Sequence, residues 1–425
     1  NPKLEVEAHS ANVLHHLDSK DWTDGADVIL DATANATVLD KMELARRHTK
    51  AIRPIVSMAV SASAEWGLVL TCPSSFSGGP SDASRKMKLE LCRRAHLSTL
   101  TETFWPTNAQ EIFQPEPGCS ESTFVGSNAD LVTLSGGMLN LAAQDLSEAG
   151  LSDASGHLVP QPRIGSDHSV VSFSWKPDCV LLDAHKGVDI RISADAMNEL
   201  IAWRRRSERV HGGDVETGGV LFGQKNEATG VIWIDEVNGP PPDSEASEDG
   251  FVCGVLGVKE ANHEKRTRSH DSVSFAGMWH THPSSKPLPS STDYAGMREL
   301  VLSRHPAPAS SVMLILGGNL QSPELGAYLF ETADFAPDAP TYRILSAPTS
   351  FAPSARPEGI GLALSGGGSR AIAFHLGTLR ALHDRDVLDR LEVISAVSGG
   401  SVIAALYAYG DGDFSDFDRT IVELL

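Results

Sequence analysis

GMWHTHPSSKPLPSSTD, residues 277–293, sets two histidines one position apart and separates the second from an aspartate by ten residues. The run SVSFAGMWHTH (272–282) that leads into it is rich in β-branched and aromatic residues and reads as a strand. Side chains at i and i+2 of a strand share a face, so His280 and His282 present both imidazoles to one point. Asp293 arrives at the start of the next helix, where SSTD (290–293) also reads as a capping box with Ser290 at the N-cap. Two nitrogens and a carboxylate oxygen leave one tetrahedral position of Zn²⁺ for water, the open arrangement of a catalytic zinc. The candidate base for that water's proton is Glu216 in ETGGVLFG (216–223), where a short glycine turn is expected to lead its strand alongside the histidines.

Working outward, GGVLFGQ (218–224), GVIWIDEV (230–237), SSVMLILGG (310–318) and ELGAYLFE (324–331) read as further strands. RISADAMNELIAWRRRSE (191–208) reads as a helix, with Ser193 as N-cap and Met197, Leu200 and Ile201 at helical spacing. The segment is a mixed α/β domain. With Glu216, His280, His282, Pro289, Ser290 and Asp293 all in place, residues 178–335 resemble the JAMM, or MPN-plus, metalloprotease family of deubiquitinase-like isopeptidases. The resemblance implies Zn²⁺ on His280, His282 and Asp293, Glu216 as general acid and base, and Ser290 as a hydrogen-bond donor to the oxyanion. Its substrate would be a ubiquitin-like protein or its conjugates.

The whole chain has 425 residues, too many for one ordinary domain. Stretches rich in Pro, Ser, Ala and Asp at 151–178 and 333–358 read as joints, so three parts are expected at 1–150, 178–335 and 358–425, an α/β multidomain protein. A net charge of −20 and a pI of about 5.2 repel a phosphate backbone, which excludes nucleic acid as the expected partner. Five scattered cysteines form no C-x-x-C pair and suit a reducing cytoplasm. No basic-then-apolar leader is visible. The most apolar run, 394–409, is broken by Ser395, Ser398, Gly399, Gly400 and Ser401, so a membrane span is not expected.

In the first part, ADVILDAT (26–33) reads as a strand, NATVLDKMELARRHT (35–49) as the helix after it, and AIRPIVSMAV (51–60) and WGLVLTCP (66–73) as further strands. With NPKLEVEAH (1–9), this order resembles the later half of the Rossmann-like adenylating domain of ThiF-type, ubiquitin-activating-enzyme-like proteins. The family's glycine-rich turn is not among these residues, and Ala34 stands where the family usually carries an acidic magnesium ligand, leaving Asp31. Adenylation by this chain alone is therefore not expected. Cys119, in PGCSESTFVGSNADL (117–131), sits where a thioester-forming cysteine would lie, or is a partly buried thiol with no basic neighbour. Cys72 lacks partners for a zinc knuckle.

In the third part, LALSGGGSRAIAFHLG (362–377) and ISAVSGGS (394–401) resemble patatin-like phospholipases. That resemblance implies an oxyanion turn of Gly366, Gly367, Gly368 and Arg370, and Ser398 as a nucleophile on a strand-to-helix elbow acting on membrane lipid. Ala396 replaces the usual leading glycine. The family's D-G-G or D-G-A aspartate is absent from the 27 residues after Ser398, so this lipase site is expected to be incomplete here. The reading that results is a zinc isopeptidase of a bacterial ubiquitin-like, antiphage system, fused to a patatin-like part. A phospholipase regulated by the JAMM part and a non-catalytic MPN scaffold are the alternatives. Oligomeric state is not specified by these residues.

Overall fold

The computed structural model describes residues 12–19, 22–23, 25–48, 52–106, 127–147, 152–163, 168–183, 186–211, 215–248, 250–283, 285–303, 310–319, 322–335, 349–350, 360–364, 368–384, 388, 391–396, 399–410 and 413–424. They form two bodies, residues 1–353 and 354–425.

The first body begins with a short turn of helix, α1 (Val13–His16), then β1 (Ile29–Asp31), α2 (Ala36–His48), β2 (Ile55–Val60) and β3 (Trp66–Cys72). Asn35 starts α2, its side-chain oxygen accepting the amides of Thr37 at 2.9 Å and Val38 at 3.3 Å. α3 (Pro80–Arg93), α4 (Thr101–Phe104) and α5 (Asn128–Ser147) follow, then β4 (Ala154–Pro160) and β5 (Val171–Trp175). The strands form one sheet in the order β1-β2-β3-β4-β5. α3 covers one face with Ala83, Met87 and Leu91 against Ile55, Leu70 and Leu158, and α5 covers the other with Leu134, Met138 and Ala142 against Val56, Met58 and Val69.

Two expectations change here. The stretch 151–178 is not a joint, because β4 and β5 are integral strands whose residues pair from Ala154↔Trp175 to Leu158↔Val171. The Rossmann-like order is met by the β1–β2 pair alone, which is parallel; β2–β3, β3–β4 and β4–β5 are antiparallel. Asp31 ends β1, buried, and its carboxylate accepts the Thr33 amide at 3.0 Å and the Ser57 hydroxyl at 2.7 Å. Cys72 is buried, and burial pushes its thiol pKa far up. Cys119 lies outside the described residues.

The same body continues with β6 (Cys179–Asp183), β7 (Val188–Ile192), α6 (Ala194–His211), β8 (Gly218–Asn226), β9 (Val231–Asn238), a small hairpin of β10 (Glu245–Ala246) and β11 (Phe251–Val252), α7 (Val258–Arg268) and β12 (Ser274–Thr281). α8 (Ser291–Ser303), β13 (Ser310–Asn319), β14 (Ser322–Glu331) and β15 (Thr349–Ser350) complete it. An eight-stranded sheet runs β15-β14-β13-β12-β8-β9-β7-β6, parallel at β12–β13 and β7–β9 and antiparallel elsewhere. Ser193 caps α6 as expected, accepting the Ala196 amide at 3.1 Å. One face of the sheet buries Trp279, Leu221, Ile234 and Leu314 beneath Leu200 of α6; the other buries Met313, Ile315 and Phe330 beneath Met297 and Val301 of α8.

Buried charge joins the two sheets. Arg85 of α3 grips Asp235 of β9 with two bonds of 2.9 Å, and its guanidinium lies 4.4 Å from the Trp233 ring centre. Lys86 reaches Asp178 at 2.8 Å, Arg191 of β7 reaches Glu43 of α2 at 2.6 Å, and Arg47 reaches Asp189 at 2.9 Å. Asp82 sits fully buried among Arg85, Lys86 and Arg191 at 3.8, 3.9 and 3.9 Å.

The second body holds β16 (Ile360–Leu364) parallel to β17 (Leu391–Ala396), with α9 (Gly368–His383) between them in sequence, then α10 (Gly399–Tyr409) and α11 (Phe414–Leu424). Leu364, Leu376, Leu379, Ile403, Phe417 and Ile421 form its core. Gly368 opens α9 and Arg370 is exposed in its first turn. Gly366, Gly367 and Ser398 lie outside the described residues.

Removing one side of a buried ion pair leaves the other charge without compensation, at a cost of about 3–5 kcal/mol. Asp235→Ala is therefore expected to lower the denaturant midpoint sharply, and the paired change Arg85→Met with Asp235→Leu to lower it less. Equilibrium unfolding of the three proteins measures both.

Candidate metal centre and active site

Strand alternation divides β12 between the two layers. Trp279 enters the core on the α6 side, its indole N–H donating to the Asn238 carbonyl at 2.9 Å, while Met278 packs with Met297 and Val301 of α8. His280 therefore faces α8. His282 lies just past the strand, and its amide continues the ladder by donating to the Leu316 carbonyl at 3.0 Å.

The residues that precede α8 are held from several sides. Tyr328 donates to the Pro287 carbonyl at 2.5 Å, and the Gly318 amide donates to the Ser285 carbonyl at 2.8 Å. Arg204 of α6 supports the same β13 end through the Gly317 and Gly318 carbonyls at 3.0 and 2.6 Å. The expected capping box closes the turn: Ser290 Oγ accepts the Asp293 amide at 3.2 Å, and Asp293 Oδ2 accepts the Ser290 amide at 2.6 Å.

The donor atoms converge. His280 Nε2 and His282 Nε2 are 3.0 Å apart, and Asp293 Oδ1 and Oδ2 lie 3.2 and 3.7 Å from them respectively. Glu216 Oε1 is 3.9 Å from His282 Nε2. Glu216, His280 and His282 offer ligand atoms that all lie within 4.8 Å of one another, a possible metal-binding group. Each side chain is partly or largely buried.

The proton arrangement suits a cation. His282 Nδ1 lies 3.2 Å from the Lys286 carbonyl, which only accepts, so Nδ1 carries hydrogen and the neutral ring turns a bare Nε2 toward His280. Burial works against a charged His282, but the Asp293 hydrogen bond, the Lys286 carbonyl and the nearby carboxylates outweigh it and raise its pKa. Burial likewise disfavours the Asp293 carboxylate, yet hydrogen bonds from His280 and His282, made when the facing Nε2 atoms carry hydrogen, hold it far below the usual carboxylate range. The pocket thus favours positive charge, which a proton or a metal ion can supply. Donors on a tetrahedral zinc at ~2.0–2.2 Å stand about 3.3–3.5 Å apart, close to the 3.0 Å between the two Nε2 atoms and the 3.2 Å from His280 Nε2 to Asp293 Oδ1.

Glu216 comes from the other side of β12. The glycines expected to form a turn after it are instead the first residues of β8. A Cβ on Gly218 would lie 2.4 Å from the Trp279 carbonyl oxygen, and one on Gly219 2.2 Å from that of Asn238, so only glycine lets β8 lie this close to β12 and β9. Thr217 and Thr281 bridge the two chains, and the Glu216 amide donates to the Ser247 carbonyl at 2.9 Å. The roles of Lys286, Ser247, Thr217 and Thr281 were not apparent from sequence. Three act through the backbone, and no side-chain type announces that.

Residues 193–330 match the family model for prokaryotic homologs of the JAB domain, and residues 362–424 match that for patatin-like phospholipase. A CD-NTase/cGAS isopeptidase of Enterobacter hormaechei subsp. hoffmannii is 32% identical over 130 residues, which are 31% of this chain and 68% of that protein. The solution structure of a protein from Desulfitobacterium hafniense is 19% identical and covers 33% of this chain and 84% of its own, at a TM-score of 0.24, too low to carry an argument. The segment 1–150 draws no support from these matches for a ThiF-type relationship.

Metal analysis of purified protein is expected to find close to one divalent ion per chain, falling below roughly a tenth in His282→Ala, since loss of one of three protein ligands removes most affinity.

Proposed function

We propose that this chain, which belongs through its JAB domain to the family of the CD-NTase/cGAS isopeptidase, hydrolyses isopeptide bonds with zinc held by His280, His282 and Asp293. The observation that carries the reading is the convergence of two Nε2 atoms and both Asp293 oxygens within 3.0–3.7 Å, with a separate carboxylate 3.9 Å away from the segment that leads into β8. The substrate is a conjugate of a ubiquitin-like modifier in a bacterial, antiphage setting. The relative's name points to a CD-NTase/cGAS-type protein as the modified partner.

Bound zinc supplies Lewis acidity, polarising the scissile carbonyl and easing deprotonation of water. Glu216 is left outside the ligand set to carry the proton: it takes one from the attacking water and gives it to the departing lysine amine. The carbonyl carbon gains the water oxygen as its C–N bond breaks, so atoms balance without a further reactant. Ser290 Oγ uses a lone pair on the Asp293 amide, which leaves its O–H to donate to the oxyanion. His282 is kept in its ligand tautomer by Lys286.

The remaining assignments extend this reading. Residues 1–150 act as a ThiF-like partner module for the modifier, and the protein works in the cytoplasm. A non-catalytic scaffold would have no use for a complete donor set with a held tautomer. The patatin-like match at 362–424 supports the phospholipase alternative, in which Ser398 is the nucleophile and its aspartate partner is not among the residues after it.

Glu216→Gln is expected to keep its zinc and lose about 10²–10⁴-fold in kcat, the scale of a general acid–base contribution. Zinc content and cleavage of a modifier joined to lysine by an isopeptide bond, measured side by side, check this. Fatty acid release from phospholipid vesicles that is lost in Ser398→Ala and kept in His282→Ala would favour the phospholipase alternative; loss in both would tie lipid hydrolysis to the metal site instead.

A further inference from the structure

We infer that Thr281, the residue between the two histidines, is a positioning residue for Glu216. The inference rests on the proposed role of Glu216 as proton carrier and concerns what holds that carboxylate in reach.

Thr281 is 1% exposed, and strand alternation turns its side chain away from the face that carries His280. Its hydroxyl oxygen accepts the backbone N–H of Thr217 at 2.9 Å, and its own amide donates to the Thr217 carbonyl at 2.8 Å. Thr217 is itself only 6% exposed. The two residues thus clasp each other at the point where β8 has not yet begun, since its first residue is Gly218.

That location gives the clasp its consequence. From Gly218 onward, ladder pairing places the chain against β12, starting with Gly218↔His280. Glu216 lies two residues beyond the ladder, so ordinary strand pairing does not place it. Among its main-chain anchors are the hydrogen bond from its own N–H to the Ser247 carbonyl on one side and the Thr217–Thr281 clasp on the other. The clasp is rooted in the same strand residue that separates His280 from His282, so it sets the base relative to the metal donors rather than to the fold at large.

Replacing the hydroxyl by a methyl group keeps the shape of Thr281 and removes the acceptor, leaving the Thr217 N–H buried without a partner. A displacement of about 1 Å at a catalytic group can cost ~10²-fold in rate. Thr281→Val is accordingly expected to retain its metal and KM while kcat falls roughly 10–100-fold, with Thr217 amide hydrogen exchange accelerated. Thr281→Ser restores the acceptor and is expected to restore both kcat and exchange protection.

The experiment measures metal content, kcat and KM on the isopeptide-linked modifier, and Thr217 amide exchange in wild type, Thr281→Val and Thr281→Ser, with Thr281→Ala as a second hydroxyl-free variant should valine misfold. Unchanged kcat in the hydroxyl-free variants, metal lost together with activity, or failure of serine to rescue overturns the inference. Should wild type itself cleave nothing, the proposed function fails, and crystal structures then judge the clasp. Glu216 displaced from His282 in Thr281→Val but not in Thr281→Ser upholds it, and an unmoved Glu216 overturns it.

Discussion

The alternation of side chains along β12 is the constraint on which the centre depends. Trp279 is 1% exposed and fills the layer beneath α6, so the strand has no freedom to slip by one residue without burying imidazoles in an apolar core. Anchoring that indole by its hydrogen bond to Asn238 therefore orients His280 toward α8 as firmly as any contact to the histidine itself. Thr281 follows the same alternation. One strand end thus directs ligands to one layer and a clasp for the base to the other.

A second constraint brings β8 to that strand. Glycines at 218 and 219 remove the Cβ atoms that would meet the carbonyls of Trp279 and Asn238. The same closeness limits what else can change nearby. Glu216 reaches the donors because the segment before β8 is drawn in by neighbours, whereas Asp293 reaches them because the capping box of α8 holds its carboxylate at the helix start. The two carboxylates arrive by different means, one governed by tertiary hydrogen bonds and the other by local ones. That difference matches the distinct roles assigned to them.

Buried charge binds the preceding segment to the JAB domain. Arg85, Lys86 and Arg191 are each largely buried, and each holds a carboxylate from the other of these two segments. Such pairs contribute little net stability over well-packed apolar groups but penalise separation heavily, because each parted charge would remain desolvated or need new water. The first segment and the JAB domain accordingly behave as one body, in keeping with β5 running almost directly into β6.

Several features were open to reading in the residues alone. The i, i+2 histidines, the Ser290–Asp293 box, the Ser193 cap and most strands of the JAB domain follow from short-range patterns, and neighbours within four residues decide them. Other features escaped. β5 shows Val171, Phe173 and Trp175 alternating with serines, a period-two signal hidden inside a stretch that composition marks as a joint. α7 has no fully buried residue and packs only Val258 and Ala261 against an apolar cluster; Lys265 and Arg268 also tie it to Glu236 of β9, partners that no helical periodicity reveals. By itself the sequence determined which donor atoms exist and how each sits on its own strand or helix. Only the tertiary structure decided that Glu216 meets them, because Thr217 and Thr281 are 64 positions apart and their pairing depends on where whole strands lie.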